Sequence, residues 1–136
     1  MERNLQMKRY WTLDITQGDM QLSEHFKASE FRCKDNSNFV FIDNELLQVL
    51  ETVRSHFNKP VIINSGYRTP TYNEKIGGAK HSQHCLGKAS DIYITGIAPK
   101  EIYNFLDSLY PLKYGLGLYN TFIHIDTRDK KSRWQG

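Results

Sequence analysis

The stretch "NSGYRTPTYNEKIGGAKHSQHCLGKASDIYI" (residues 64–94) decides how this chain is read. It places an arginine, two histidines, several glycines and an aspartate between apolar runs. On its N-terminal side, "VIINS" (61–65) is a short β-branched run and predicts a buried strand. On its C-terminal side, "KASDIYIT" (88–95) alternates and predicts a second strand. Between them, "TPTYNEKIGG" has Pro70 early and Gly77-Gly78 at its end, the pattern of a short helix with a glycine stop.

Outward from this stretch the periodicity changes. In "NELLQVLETVRSHF" (44–57), Leu46, Leu47, Leu50, Val53 and Phe57 recur at three- and four-residue steps. That predicts an amphipathic helix, with Asp43 or Asn44 as its cap and Pro60 closing it. "PKEIYNFLDSLY" (99–110) begins with a first-turn proline and repeats Ile102, Phe105, Leu106 and Leu109, predicting a second main helix. "YGLGLYN" (114–120) and "FIHIDT" (122–127) read as adjacent strands around an Asn120-Thr121 turn. "LSEHFKASEF" (22–31) reads as a short helix or turns, and "KDNSN" (34–38) as a loop. The expected architecture is α+β, two main helices packing a small, mainly antiparallel sheet.

A length of 136 residues suits one domain, here 1–136 with residues 1–21 as an N-terminal extension. The net charge of +3 is spread along the chain apart from Arg128, Lys130, Lys131 and Arg133, a run read as a solvated end. This balance fits an anionic polymer as well as a nucleic acid, and no nucleic-acid partner is expected. No apolar run approaches the roughly 20 residues of a membrane span, and no signal-peptide core is present. The chain is therefore expected to be cytoplasmic as synthesised, and monomeric. Cys33 and Cys85 make neither a disulfide framework nor a CxxC metal motif.

Strand alternation brings the chemistry together. In "KASDIYI", Ala89, Asp91 and Tyr93 share one face; in "FIHIDT", His124 and Asp126 share the face opposite Ile123 and Ile125. With the isoleucines in the core, Asp91 and His124 fall on the same side of the sheet and meet if the strands are neighbours. His84 lies seven residues before Asp91, about 23 Å if extended. Zinc donors sit about 2.0–2.2 Å from the metal, so the chain must fold back. Gly87 supplies the flexible point, and the small Ala89 leaves room for an ion. Two imidazoles and one carboxylate with an open position describe a catalytic zinc site rather than a structural one. Taken singly, each residue has an ordinary reading: a loop histidine, an edge-strand aspartate, a sheet histidine.

The order "SQHCLGKASD" (82–91), preceded by "SGYR" (65–68) and followed by "FIHID" (122–126), resembles the zinc D-Ala-D-Ala carboxypeptidase family. That family also includes D-Ala-D-Ala dipeptidases and phage endolysins. The resemblance covers about residues 22–134 and implies the fold of those peptidases, shared by hedgehog domains. It implies His84, Asp91 and His124 as ligands of one Zn²⁺, and Arg68 as the group that binds a substrate carboxylate or polarises the scissile carbonyl. Ser82 would hydrogen-bond near the metal or substrate, or simply shape a turn. The family's acidic base, three residues before the last histidine ligand, is Thr121 here, and no acid lies between Asp107 and Asp126. Asp126 and His81 are the candidate bases, with ligand orientation as the alternative role for Asp126.

The implied activity is hydrolysis of a peptidoglycan stem peptide, at a D-Ala-D-Ala terminus or an internal L-Ala-D-Glu bond. The implied place of action is the cell wall, with a phage or prophage origin. A leaderless lytic enzyme reaches the wall through a holin or within a virion. The alternative is a non-catalytic zinc-binding or wall-binding module on the same fold.

Overall fold

The computed structural model describes residues 9–136. The chain is mixed α and β, with three α-helices and nine short strands among the described residues. Strands β1 (Tyr10–Asp14), β2 (Gln21–Ser23), β3 (Phe26–Lys27) and β4 (Phe39–Asp43) precede helix α1 (Asn44–Phe57). Then come β5 (Ile62–Ser65), α2 (Pro70–Lys75), β6 (Ala89–Tyr93), α3 (Pro99–Leu109), β7 (Gly115–Leu118), β8 (Ile123–Asp126) and β9 (Ser132–Gln135). The principal sheet has the order β5-β6-β8-β7-β9. Its pairs are antiparallel except β7 with β9, which run parallel.

Helix α1 forms where the three- and four-residue apolar period runs. Leu46, Leu47, Leu50 and Val53 all sink into the core. The Asp43 carboxylate accepts from the Glu45 amide at 3.3 Å, and Asn58 ends the helix in the left-handed conformation. Pro60 therefore lies beyond the stop rather than forming it. Ile102 and Leu106 of α3 join Ile92, Leu116, Ile123 and Ile125 of the sheet in one buried cluster with α1.

Helix α3 rests on β7 and β8, whereas the main contacts of α1 are with β4 and β2. Helix α2 is the short third helix, with Thr69 capping it and Pro70 in its first turn.

Three other local readings change. The run 61–65 was expected to be buried, yet β5 is the sheet's edge strand and Ile62 is 38 % exposed; only Val61 is buried. The segment assigned to an extension carries β1, which pairs along its length with β4; residues 1–8 of that extension lie outside the described residues. The basic run at the C-terminus was read as solvated, but it frames β9. Arg133 bonds Asp107 and the Tyr110 and Tyr114 carbonyls, while Lys130 and Lys131 alone stay exposed.

Both cysteines are free thiols, Cys33 buried and Cys85 partly so. Among the described residues no helix is long and apolar enough to cross a membrane.

Candidate metal centre

β6 and β8 pair with Asp91 directly opposite His124. The isoleucines of both strands are buried on the core side, so Asp91 and His124 share the other face. His84 arrives from a 3-10 turn, Gln83–Leu86, whose cap is Ser82: its hydroxyl accepts from the His84 amide at 3.1 Å. Gly87 ends that turn at φ 70° and reverses the chain into β6. A side chain there would place its Cβ 2.3 Å from the Phe41 carbonyl oxygen, so conformation and space both require glycine.

The result is a three-residue cluster. One nitrogen of each of His84 and His124 and one Asp91 oxygen lie within 4.8 Å of one another. Asp91 Oδ1 is 3.3 Å from His84 Nε2 and 3.0 Å from His124 Nδ1. A tetrahedral ion with donors at about 2.0–2.2 Å holds them roughly 3.3–3.6 Å apart, so the spacing fits zinc.

Proton placement fits as well. His84 Nδ1 is 2.8 Å from the Gly66 carbonyl, which only accepts, so Nδ1 carries the proton and Nε2 presents a lone pair. His124 Nε2 is 2.7 Å from Asp126 Oδ2, which holds the proton there and frees Nδ1. Burial would raise the Asp91 carboxyl pKa, but hydrogen bonds from His124 and His84 hold it well below the carboxylate range. Burial likewise opposes ionisation of Asp126, and His124 and Arg128 overcome it. For His124, burial lowers the pKa, yet Asp126 and Asp91 raise it above the ordinary histidine value. Two ionised carboxylates thus flank the imidazole, and the centre attracts cations.

The cluster opens into a cleft of about 550 Å³ that Arg68, His81, Ser82, Tyr119 and Trp134 also line. Arg68 follows β5, and its amide donates to the His84 carbonyl at 3.1 Å, tying the two loops together. Its guanidinium donates to Ser65 Oγ at 3.3 Å and Asn73 Oδ1 at 3.1 Å, and lies 3.6 Å from Asp91 Oδ2. His81 is exposed on the cleft wall. Ser82 is buried in the wall as the turn's cap.

Asp126 stands apart from these: it is fully buried and does not line the cleft. Arg128 grips it with two nitrogens, at 2.8 and 2.7 Å. Thr121, in the β7–β8 turn, does not line the cleft either.

Several contributors escaped the sequence reading. Gly115 and Gly117 alternate with the core residue Leu116 and face the site side. A Cβ at Gly115 would lie 2.4 Å from Asp126 Oδ2, and one at Gly117 2.4 Å from Trp134 Nε1. The "GLGL" alternation was the available signal: a strand with no side chains on one face leaves room for something else. Trp134 packs on His124 with ring centroids 5.1 Å apart and donates to the Tyr119 hydroxyl at 2.9 Å. Asn73 also donates to the Ala79 carbonyl at 2.8 Å, bracing the loop opposite Arg68.

The sequence is similar to those of known proteins. The sequence model of the Peptidase M15 family matches residues 24–126. The peptidoglycan L,D-endopeptidase MepK of Escherichia coli K12 is 40 % identical over 76 residues, 51 % of this chain and 41 % of that protein. The zinc D-Ala-D-Ala carboxypeptidase of Streptomyces albus G is 43 % identical over 35 residues, 26 % of this chain and 14 % of that protein. The aligned parts thus span less than half of either relative.

Proposed function

The chain belongs to the peptidase M15 family, and from that premise we propose that it is a zinc metallopeptidase hydrolysing stem-peptide bonds of peptidoglycan. The convergence of His84 Nε2, Asp91 and His124 Nδ1 on one point at the floor of an open cleft carries this reading. Zinc, when bound by these three, supplies Lewis acidity that polarises a carbonyl and makes water acidic enough to attack at neutral pH.

The remaining steps belong to the chain's own residues. A guanidinium has five N–H donors; Arg68 uses two of them in hydrogen bonds to Ser65 and Asn73, and its third nitrogen pairs with Asp91 by charge at 3.6 Å. The others are available to a substrate carboxylate or to the scissile carbonyl oxygen, in an orientation that Asn73 holds. His81 is the proton carrier in this reading, being the titratable side chain of the cleft that is exposed and outside the ligand set. Asp126, buried and gripped by Arg128, keeps the His124 ring and tautomer in place. The two relatives, named for D-Ala-D-Ala carboxypeptidase and peptidoglycan L,D-endopeptidase activities, support a wall peptide as substrate.

The test is digestion of purified murein peptides by the zinc-loaded protein, with and without chelator, read by product masses. Chelator-sensitive release of D-Ala or of peptide fragments is expected. Full zinc occupancy with intact peptides would overturn the proposal in favour of a non-catalytic zinc module.

A further inference from the structure

The β7 flank of the metal cleft carries a polar group outside the ligand set, the hydroxyl of half-buried Tyr119. Tyr119 follows β7, and its amide donates to the Phe122 carbonyl at 3.0 Å. By strand alternation it shares the site face with Gly117, which lies directly opposite His124. Gly117 has no side chain, and Trp134 Nε1 fills that space, 2.4 Å from where a Cβ would stand. The Tyr119 hydroxyl reaches back to this nitrogen at 2.9 Å, which puts it on the His124 side of the cleft.

The phenol ring is held from several directions. Phe122 stacks on it with centroids 4.5 Å apart and planes 6° from parallel. Gly136 closes on its edge, where a Cβ would lie 2.0 Å from Tyr119 Cε2. An indole nitrogen only donates, so the Tyr119 oxygen accepts from Trp134 and keeps its own hydrogen to give. Among the described residues no protein acceptor takes that hydrogen. Accepting one hydrogen bond also strengthens the one a hydroxyl donates. A rigid donor of this kind suits charge that appears only during reaction, because it needs no reorganisation at that moment.

We propose that Tyr119 is a further catalytic residue, whose hydroxyl donates a hydrogen bond to the scissile carbonyl oxygen as that oxygen gains negative charge. The hydrogen stays on the phenol throughout, and the bond tightens as the charge grows. Arg68 follows β5, on the other flank of the β6–β8 pair, so the two donors approach the metal position from opposite sides. The assignment rests on the peptidase reading and adds to it a group that acts on the reacting carbonyl.

Tyr119→Phe tests it, since the ring and its stacking remain and only the hydroxyl goes. Three quantities are read: turnover of a murein peptide, zinc affinity by chelator competition, and calorimetric binding of that peptide and of its phosphinate analogue. The analogue is tetrahedral and anionic where the peptide carbonyl is planar and neutral. A fall in kcat of about 100-fold is expected, the low end for loss of an oxyanion donor. KM and zinc affinity should stay within about twofold, because the lost bond forms only in the transition state. Affinity for the analogue should fall by a factor similar to that in kcat, with binding of the peptide itself unchanged. Unchanged kcat, or peptide and analogue weakened alike, would overturn the assignment, as would lost zinc affinity, which marks a structural role. Turnover in the parent matched by Tyr119→Phe removes this assignment alone. A zinc-loaded parent that leaves the peptide intact removes the peptidase reading and the assignment with it.

Discussion

Replacing Asp126 by asparagine isolates the role of a carboxylate that never reaches the cleft. The side chain is fully buried, and its oxygens receive His124 Nε2 at 2.7 Å, two Arg128 nitrogens at 2.8 and 2.7 Å, and the Arg128 amide at 3.1 Å. Asparagine has the same shape, so the close approach to Gly115 is undisturbed and no cavity forms. It has one acceptor oxygen where there were two. If that oxygen stays on His124, a charge-assisted bond becomes a neutral one of about half the strength. If the amide nitrogen faces His124, the ring must take the other tautomer, and Nδ1 then presents a proton to the metal position. Either way the free-energy loss falls on zinc binding. Removing an orienting partner of this kind costs about 10–100-fold in metal affinity, or about 1.4–2.7 kcal/mol. Competition against a chromophoric chelator measures it, with circular dichroism to verify folding. A folded Asp126→Asn protein whose zinc affinity stays within about twofold of the parent would refute the orienting role.

Three further outcomes follow from the same geometry. Gly87→Ala puts a side chain at φ 70° and a Cβ 2.3 Å from a backbone oxygen, so it should destabilise by about 2–4 kcal/mol in urea unfolding; an unchanged midpoint would contradict this. Asn73→Ala frees the Arg68 guanidinium and should raise KM for a wall peptide about three- to tenfold with zinc affinity intact; a loss confined to zinc binding would assign Asn73 elsewhere. Acidification should weaken zinc binding, because zinc displaces the His124 proton and that group's pKa is raised. Competition begins above pH 6.5 and grows to about tenfold per pH unit below the His124 pKa. In zinc-free protein the sign reverses: the stability from His124 is full below its unfolded pKa and is lost as pH rises through the folded one. The depressed Asp91 and Asp126 groups contribute stability that is full above their unfolded pKa near 3.8 and is lost as pH falls from there through their folded values. Melting temperatures of the zinc-free and zinc-loaded protein across pH 6–8 should therefore diverge as pH rises; parallel curves would contradict this.

What was legible in the sequence was local. Helix α1 was legible because the apolar period and the Asp43 cap agree, although its stop is Asn58 rather than Pro60. Asp91 and His124 could be assigned to one face because alternation in two isoleucine-rich strands leaves no other arrangement, and their register pairs them directly. Contacts between distant segments were not legible. β1 pairs with β4 across some thirty residues, and neither run is long enough to announce a partner. β9 follows a loop and pairs parallel to β7, and only that pairing brings Trp134 onto His124. Arg128 looked like part of a solvated basic end because charge in sequence says nothing of a buried carboxylate two residues earlier. The glycines of β7 carried the missing information, since they mark the face on which Asp126, Arg128 and Trp134 fit.

The central claim is that His84, Asp91 and His124 together hold one zinc ion with a coordination position left for substrate chemistry. Zinc content measured by atomic emission on the purified protein and on His84→Ala, Asp91→Ala and His124→Ala tests it most directly. The account predicts one zinc per chain in the parent and loss of tight binding in each folded variant. Stoichiometric zinc retained by any one of the three would contradict it.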